Sequence, residues 1–282
     1  VLIDAHHHVW DIAARPQPWM QAPGYTTLAR THSPAEHAAL ARVAGVDASV
    51  VVQCVAEVAE TRELLAAAAD DPVIAAVVGW VPLTSPSVAD DLAGLRGAPG
   101  GDLLRGIRHQ VHDEPDVHWL QRPDVRRGIA AVGAAGLAYD LLLRPEHLAA
   151  AIDTVQSLPE VRFVLDHLGK PPIASGEVEP WASDLRRLAA APNTRCKVSG
   201  MVTEADWASW TPEQLRPYAE IALEAFGADR CMMGSDWPVC TLAAEHATAI
   251  GLAEVLLPGL SDGERDALRW RTAATVYGIT AG

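Results

Sequence analysis

Residues 1–10 of the chain read VLIDAHHHVW. The run Leu2–His8 has the composition of a strand buried on both faces, and it ends in histidines. Strand side chains alternate in direction, so His6 and His8 share one face while His7 points to the other. Seven more runs of this kind follow: Ser49–Gln53, Val73–Trp80, Leu103–His109, Leu137–Leu142, Arg162–His167, Arg195–Gly200 and Arg230–Ser235. Between them lie Ala-, Leu-, Arg- and Glu-rich stretches with helical periodicity. Ser33-Pro34-Ala35-Glu36, Thr211-Pro212-Glu213-Gln214 and Ser261-Asp262-Gly263-Glu264 each read as a capping box that starts a helix. Strands alternating with helices predict a parallel sheet covered by helices. Eight such units, with no G-x-G-x-x-G after an early strand, favour a closed (β/α)8 TIM barrel over an open dinucleotide-binding sheet.

No linker or low-complexity tract divides the sequence, so residues 1–282 read as a single α/β domain. That length suits one barrel of about 250 residues, and a 49% hydrophobic composition supplies its core. The net charge of −14 repels phosphate backbones and anionic lipid, which argues against nucleic-acid and membrane partners. The four cysteines, Cys54, Cys196, Cys231 and Cys240, form no C-x-x-C pair and read as reduced thiols. The first residues lack a basic signal-peptide region, and no apolar run reaches membrane-spanning length. A cytoplasmic location is the expectation. The sequence fixes no oligomeric state.

Barrel active sites form at the C-terminal ends of the strands, so polar residues there carry the functional signal. His6 and His8 end the first strand and aim two imidazoles at one point, suited to holding a metal or polarising a carbonyl. His7 reads as structural. On the sixth strand, His167 shares the parity of Phe163 and Leu165, which suggests an inward His167 and an outward Asp166. Asp236 follows the eighth strand in MMGSDWP, beside small residues, and suits a general base for water. Arg108 and His109 end the fourth strand. Arg108 reads equally as a substrate contact or a core ion-pair residue. Asp140 on the fifth is a candidate for binding substrate hydroxyls or for bracing Arg108. Trp10, Trp19, Trp80, Trp119 and Trp237 lie at or beyond strand ends, where an indole can stack on the apolar faces of a ligand ring. The irregular stretch Asp11–His32 reads as a loop covering the catalytic face.

Five segments, DAHHHVW, GIRHQVHDEPD, FVLDHLGKPPI, CKVSGMVTEADW and MMGSDWPV, resemble the motifs of the amidohydrolase-related sugar lactonases. These are the fuconolactonase- and rhamnonolactonase-like enzymes, related to pyrone-dicarboxylate lactonase. The resemblance implies a (β/α)8 barrel that opens a small lactone by hydrolysis. It places His6, His8, His167 and Asp236 in the catalytic centre, while His109, Arg108, Asp140, Trp19, Trp80 and Trp237 are candidate substrate contacts from their own positions at or beyond strand ends. It assigns no catalytic role to the chain's two lysines, Lys170 and Lys197.

Two-metal members of the wider superfamily carry a carbamylated Lys on the fourth strand and a His on the fifth. Here the fourth strand has no lysine and the fifth, LAYDLLL, has no histidine. A lysine-bridged pair of metals is therefore excluded by composition. A single divalent ion, zinc foremost, remains an option on His6, His8 and Asp236, and the expectation is that no metal is required. The competing readings are a mononuclear zinc lactonase or decarboxylase, and a barrel that binds a sugar acid without turnover.

Overall fold

The computed structural model describes residues 1–280. Eight parallel strands form one sheet in sequence order: β1 Ile3–His7, β2 Ala48–Val52, β3 Ile74–Gly79, β4 Leu104–Gln110, β5 Ala138–Leu142, β6 Arg162–Leu165, β7 Thr194–Val198 and β8 Cys231–Met233. The helices are α1 Pro34–Ala44, α2 Val58–Asp70, α3 Val88–Arg96, α4 Pro123–Ala134, α5 Leu148–Ser157, α6 Trp181–Ala189, α7 Met201–Glu204, α8 Pro212–Phe226, α9 His246–Leu256, α10 Asp262–Asp266 and α11 Thr272–Tyr277. The start signals act as expected: the Ser33 side chain accepts the Glu36 N–H, and full capping boxes open α8 and α10.

The sheet closes just beyond the short β8. Asp236 N–H donates to the His6 carbonyl at 2.8 Å, and His8 N–H donates to the Trp237 carbonyl at 2.6 Å. The seam between β8 and β1 is thus made by the residues that bear function. Among the described residues, no helix is long and apolar enough to cross a membrane. Cys196, Cys231 and Cys240 are buried free thiols, and Cys54 is free and partly buried.

Strand alternation divides the core in two. Val51, Val77, Ile107, Tyr139, Phe163, Leu165, Cys196 and Met233 pack outward against the helices. Ile3, Ala5, Val50, Val52, Ala76, Val78, Ala138, Val164 and Met232 pack together inside the barrel. α11 adds Ala273, Val276 and Tyr277 to this second cluster. Several interior residues are small, which leaves room on the barrel axis for long charged side chains. β1 departs from alternation. Its pairing with β2 advances three residues, Asp4 to His7, while β2 advances two, Ser49 to Val51. This bulge lets Ala5 and His6 both face inward, and it leaves Asp4 and His7 facing the helices.

Just past β2, the buried Glu60 of α2 accepts the Cys54 N–H through both carboxylate oxygens, at 3.0 and 2.9 Å, and the Val55 N–H at 2.9 Å. Burial pushes its pKa up to about 7 despite these bonds. The folded protein therefore binds this proton more tightly than the unfolded chain does. The stabilising contribution is complete below the ordinary glutamate pKa and is lost as pH rises through about 7. Glu60→Gln is expected to remove this trend. Relative to wild type, the variant should gain stability between pH 4.5 and 7, by an amount on the order of 3 kcal/mol, read from urea midpoints across that range. Parallel pH profiles for the two proteins would refute it.

Candidate active site

Four side chains converge at the mouth. Asp236 Oδ1 lies 3.4 Å from His8 Nε2, 3.7 Å from His167 Nε2 and 3.9 Å from His6 Nε2. The His6 and His8 Nε2 atoms are 3.2 Å apart. All four residues are buried. Each imidazole is held through its other nitrogen. His8 Nδ1 donates to the Val52 carbonyl at 2.7 Å, which fixes its tautomer and leaves Nε2 with a lone pair. His167 Nδ1 meets Ser199 Oγ at 2.9 Å, and His6 Nδ1 faces Asp166 Oδ1 at 3.4 Å.

Two of the four reach the centre by a left-handed turn. His167 has φ 52° and Asp236 has φ 57°. Such backbone costs on the order of 1–3 kcal/mol per residue, so close packing must enforce it. Gly200 and Gly234 permit that packing. A Cβ at Gly200 would lie 2.6 Å from His167 Nδ1, and one at Gly234 would lie 2.9 Å from His6 Cβ.

Below the cluster lies a buried ion network. Lys197 Nζ, at an interior position of β7, donates to Asp140 Oδ2 at 2.6 Å and sits 2.9 Å from Asp166 Oδ1 and 3.2 Å from His6 Nδ1. The Tyr277 hydroxyl donates to Asp140 Oδ2 at 2.8 Å. Arg108 Nη1 donates to Asp166 Oδ2 at 3.1 Å and lies 3.3 Å from His6 Nε2, while Nη2 donates to the Gln53 carbonyl. Two cations thus balance two carboxylates.

Burial pushes the Asp140 carboxyl up, with Lys197 opposing. Burial acts the same way on Asp166, where Lys197, His6 and Arg108 outweigh it and hold the group well below the carboxylate range. Burial drives the His6 imidazole well below its usual range and that of His167 down to about 4, so both are neutral near pH 7. Burial alone would raise Asp236. The facing His167 imidazole, the His8 contact and His6 hold it low, as a carboxylate.

Several expectations need correction. Asp166 points inward, not outward. Phe163 and Leu165 face the helices, so alternation carries Asp166 to the interior, and His167 arrives only through its left-handed turn. Asp140 is fully buried, and its Oδ2 is bound to Lys197 and Tyr277 and not to Arg108. His109 takes the outward parity of β4. Its ring stacks on Trp119 at 4.3 Å, receives Trp80 Nε1–H at 3.0 Å and meets Glu114 at 2.7 Å. Trp237 is buried, its ring edge-on to His32 at 5.3 Å and tilted on His37 at 5.6 Å, away from the cluster. Arg108 takes the ion-pair role while still reaching His6. Trp19 and Trp80 stay partly exposed past the ends of β1 and β3. In the loop over the mouth, Trp19 lies edge-on to Trp10 at 5.8 Å and to Tyr25 at 5.7 Å. His7 stacks on His37 outside the barrel, with ring centroids 3.5 Å apart.

Lys197 and Asp166 are the residues that sequence reasoning missed. The signal was present: Lys197 lies between Cys196 and Val198 in a strand where only an interior, paired cation is tolerated.

The donor set fits one divalent ion. Lone pairs of His8 Nε2 and the Asp236 carboxylate converge with His6 Nε2, at separations typical of ligands around one zinc. His6 Nδ1 facing Asp166 is the outer contact a metal-bound imidazole commonly makes.

A parallel eight-stranded barrel with histidines and an acid converging at the strand ends defines a hydrolase-type centre. The chain belongs to the amidohydrolase family, whose model matches residues 3–279. It is 39% identical to an L-fucono-1,5-lactonase of Burkholderia multivorans over 98% of this chain and 96% of that protein. It is 41% identical to an L-fucono-1,5-lactonase of Burkholderia ambifaria over 86% of this chain and 81% of that protein. A crystal structure of an amidohydrolase from Burkholderia multivorans with bound zinc superposes with a TM-score of 0.93 at 38% identity, covering 99% of this chain and 100% of that one.

Lys197→Met tests the buried network. Removing the ammonium leaves Asp140 and Asp166 without their shared partner, and breaking a buried pair in this way costs roughly 3–5 kcal/mol. The loss should appear in the urea midpoint at neutral pH and shrink at low pH, where the carboxyls take up protons. A variant as stable as wild type at neutral pH would show that the network is not the support described.

Proposed function

We propose that this amidohydrolase opens a small neutral aldonolactone, of the L-fuconolactone or L-rhamnonolactone kind, to the free acid. The observation that carries the reading is Asp236, an ionised carboxylate held among three imidazoles at the barrel mouth. The identity to L-fucono-1,5-lactonases over most of the chain supports the substrate class.

Asp236 takes a proton from a water molecule, whose oxygen attacks the lactone carbonyl carbon. Negative charge develops on the carbonyl oxygen. Arg108, with Nη1 beside His6 Nε2 and its Nε–H without a protein partner, supplies fixed positive charge and N–H donors near that point. His6, His8 and His167 hold the water and the carbonyl in line. The tetrahedral species collapses, the ring C–O bond breaks, and Asp236 returns the proton to the leaving ring oxygen. A lactone is an activated ester, so this polarisation suffices. Trp19 and Trp80 offer indole surface to the C–H faces of the sugar ring.

If bound, a zinc ion on His6, His8 and Asp236 would supply Lewis-acid polarisation and a more acidic water. Arg108 already places a cation at the cluster, and on that ground the reaction does not require the metal. An acid-release assay on a panel of aldonolactones, with and without exhaustive chelation, tests both points. Neutral aldonolactones should exceed dicarboxylate lactones in kcat/KM, and chelated enzyme should keep a substantial share of its rate. A preference for a dicarboxylate lactone would overturn the substrate class. Complete loss on chelation, restored by one equivalent of zinc, would make the ion essential.

Asp236→Asn keeps the shape and removes the base. Turnover should fall by about 10²-fold or more with the fold intact by circular dichroism. Near-normal turnover would eliminate Asp236 as the base.

A further inference from the structure

Behind the cluster, on the helix-facing side of β1, lies a second buried polar group that the chemistry above does not use. Asp4 is fully buried. Its Oδ1 accepts the His6 N–H at 3.1 Å and the Ser235 N–H at 2.8 Å. Its Oδ2 accepts the Ser235 hydroxyl at 2.5 Å. Ser235 Oγ in turn accepts the Trp237 N–H at 3.1 Å. His246 of α9 and His37 of α1 bring Nε2 atoms to 3.5 and 3.8 Å from Oδ2.

These partners are the weak points of the seam. The bulge in β1 takes the His6 N–H out of the regular ladder, and Asp4 receives it. β8 ends at Met233, so Ser235 and Asp236 lie beyond its ladder, and Asp236 holds a left-handed backbone. We propose that Asp4 is the positioning residue of the centre, one carboxylate that fixes His6 on β1 and Asp236 after β8 relative to each other. It touches no reacting atom. It acts through the two N–H groups and the hydroxyl that flank those residues. The inference rests on the reading of Asp236 as the base.

The surroundings favour a carboxylate. Two N–H groups, one O–H and the imidazoles of His37 and His246 all surround it, and a carboxylate presents acceptors only. An amide would turn its NH2 either toward the Ser235 hydroxyl and the imidazoles or toward two backbone N–H groups. One of these sets would lose its acceptor, and the corner at 235–236 would relax. Misplacing a reacting group by about 1 Å can cost about 10²-fold in rate.

Asp4→Asn, Ser235→Ala and Ser235→Thr test this, read by kcat and KM on the best aldonolactone and by the crystal structure of each variant that folds. Asp4→Asn should lower kcat by about 10²-fold with little change in KM. Its Asp236 carboxylate should be displaced from His8. Ser235→Ala should shift both readouts in the same direction by a smaller amount, and Ser235→Thr, which keeps the hydroxyl, should restore them. If Asp4→Asn fails to fold, the Ser235 pair decides. An undisplaced Asp236, or a displaced one with unchanged kcat, overturns the proposal. Should wild type hydrolyse no lactone, the reaction reading falls, and the position of Asp236 in the variants still decides the positioning role.

Discussion

Everything at the barrel mouth stands on one buried ammonium group. Lys197 is fully buried on the barrel axis, shared by Asp140 from β5 and Asp166 from the end of β6, with His6 directly beside it. Removing such charges from water is expensive, and a hydrophobic filling of equal volume is often as stable or more so. The network therefore makes a poor stabiliser and a good locator. It fixes three strands at one height and sets the face of the His6 ring. Small interior residues such as Ala5, Ala76 and Ala138 give it room, and Tyr277 from α11 closes it from the other side.

Regular strand geometry would not assemble this centre. His6 turns inward through a bulge, and His167 and Asp236 through left-handed residues. Each deviation is unfavourable alone and persists because its surroundings allow nothing else. Gly200 leaves space for the His167 imidazole and Gly234 for the close passage of the His6 backbone and Cβ, while Asp4 collects the N–H groups that the deviations release. Converging imidazole lone pairs and a carboxylate repel one another unless a proton or cation is shared among them. The folding energy of the barrel holds that unfavourable set ready for a substrate whose carbonyl becomes negative.

This explains which parts of the protein were legible in the sequence. The eight strands, the helix starts and the location of function at the strand ends follow from alternation and capping, which are local rules. The convergence of His6, His8, His167 and Asp236 was also expected, but partly for the wrong reason. Apolarity alone puts the large residues of β6 inside, whereas in a barrel with a charged axis the large side chains face the helices. Asp166 therefore points inward, to Lys197. His109 follows the same rule, since Ile107 and His109 both point to the helix layer. The pairing of Lys197 with Asp140 spans 57 residues, and no local pattern encodes it.

The small residues mark the interior parity. Ala76 and Val78, Gly106 and Arg108, Ala138 and Asp140, and Val164 and Asp166 lie two apart on their strands, with Lys197 on β7 completing the ring. Read that way, the interior is a stack: small apolar residues below, an ion network in the middle, and imidazoles with Asp236 at the mouth. Polarity rises along the axis toward the substrate. The charged layer insulates the apolar plug from the polar mouth. It also surrounds His6 with fixed charge: Asp166 and the Lys197 ammonium face Nδ1, and Arg108 faces Nε2. The ring is thus held at both nitrogens before any substrate arrives. Its Nε2 side faces the point where substrate charge develops.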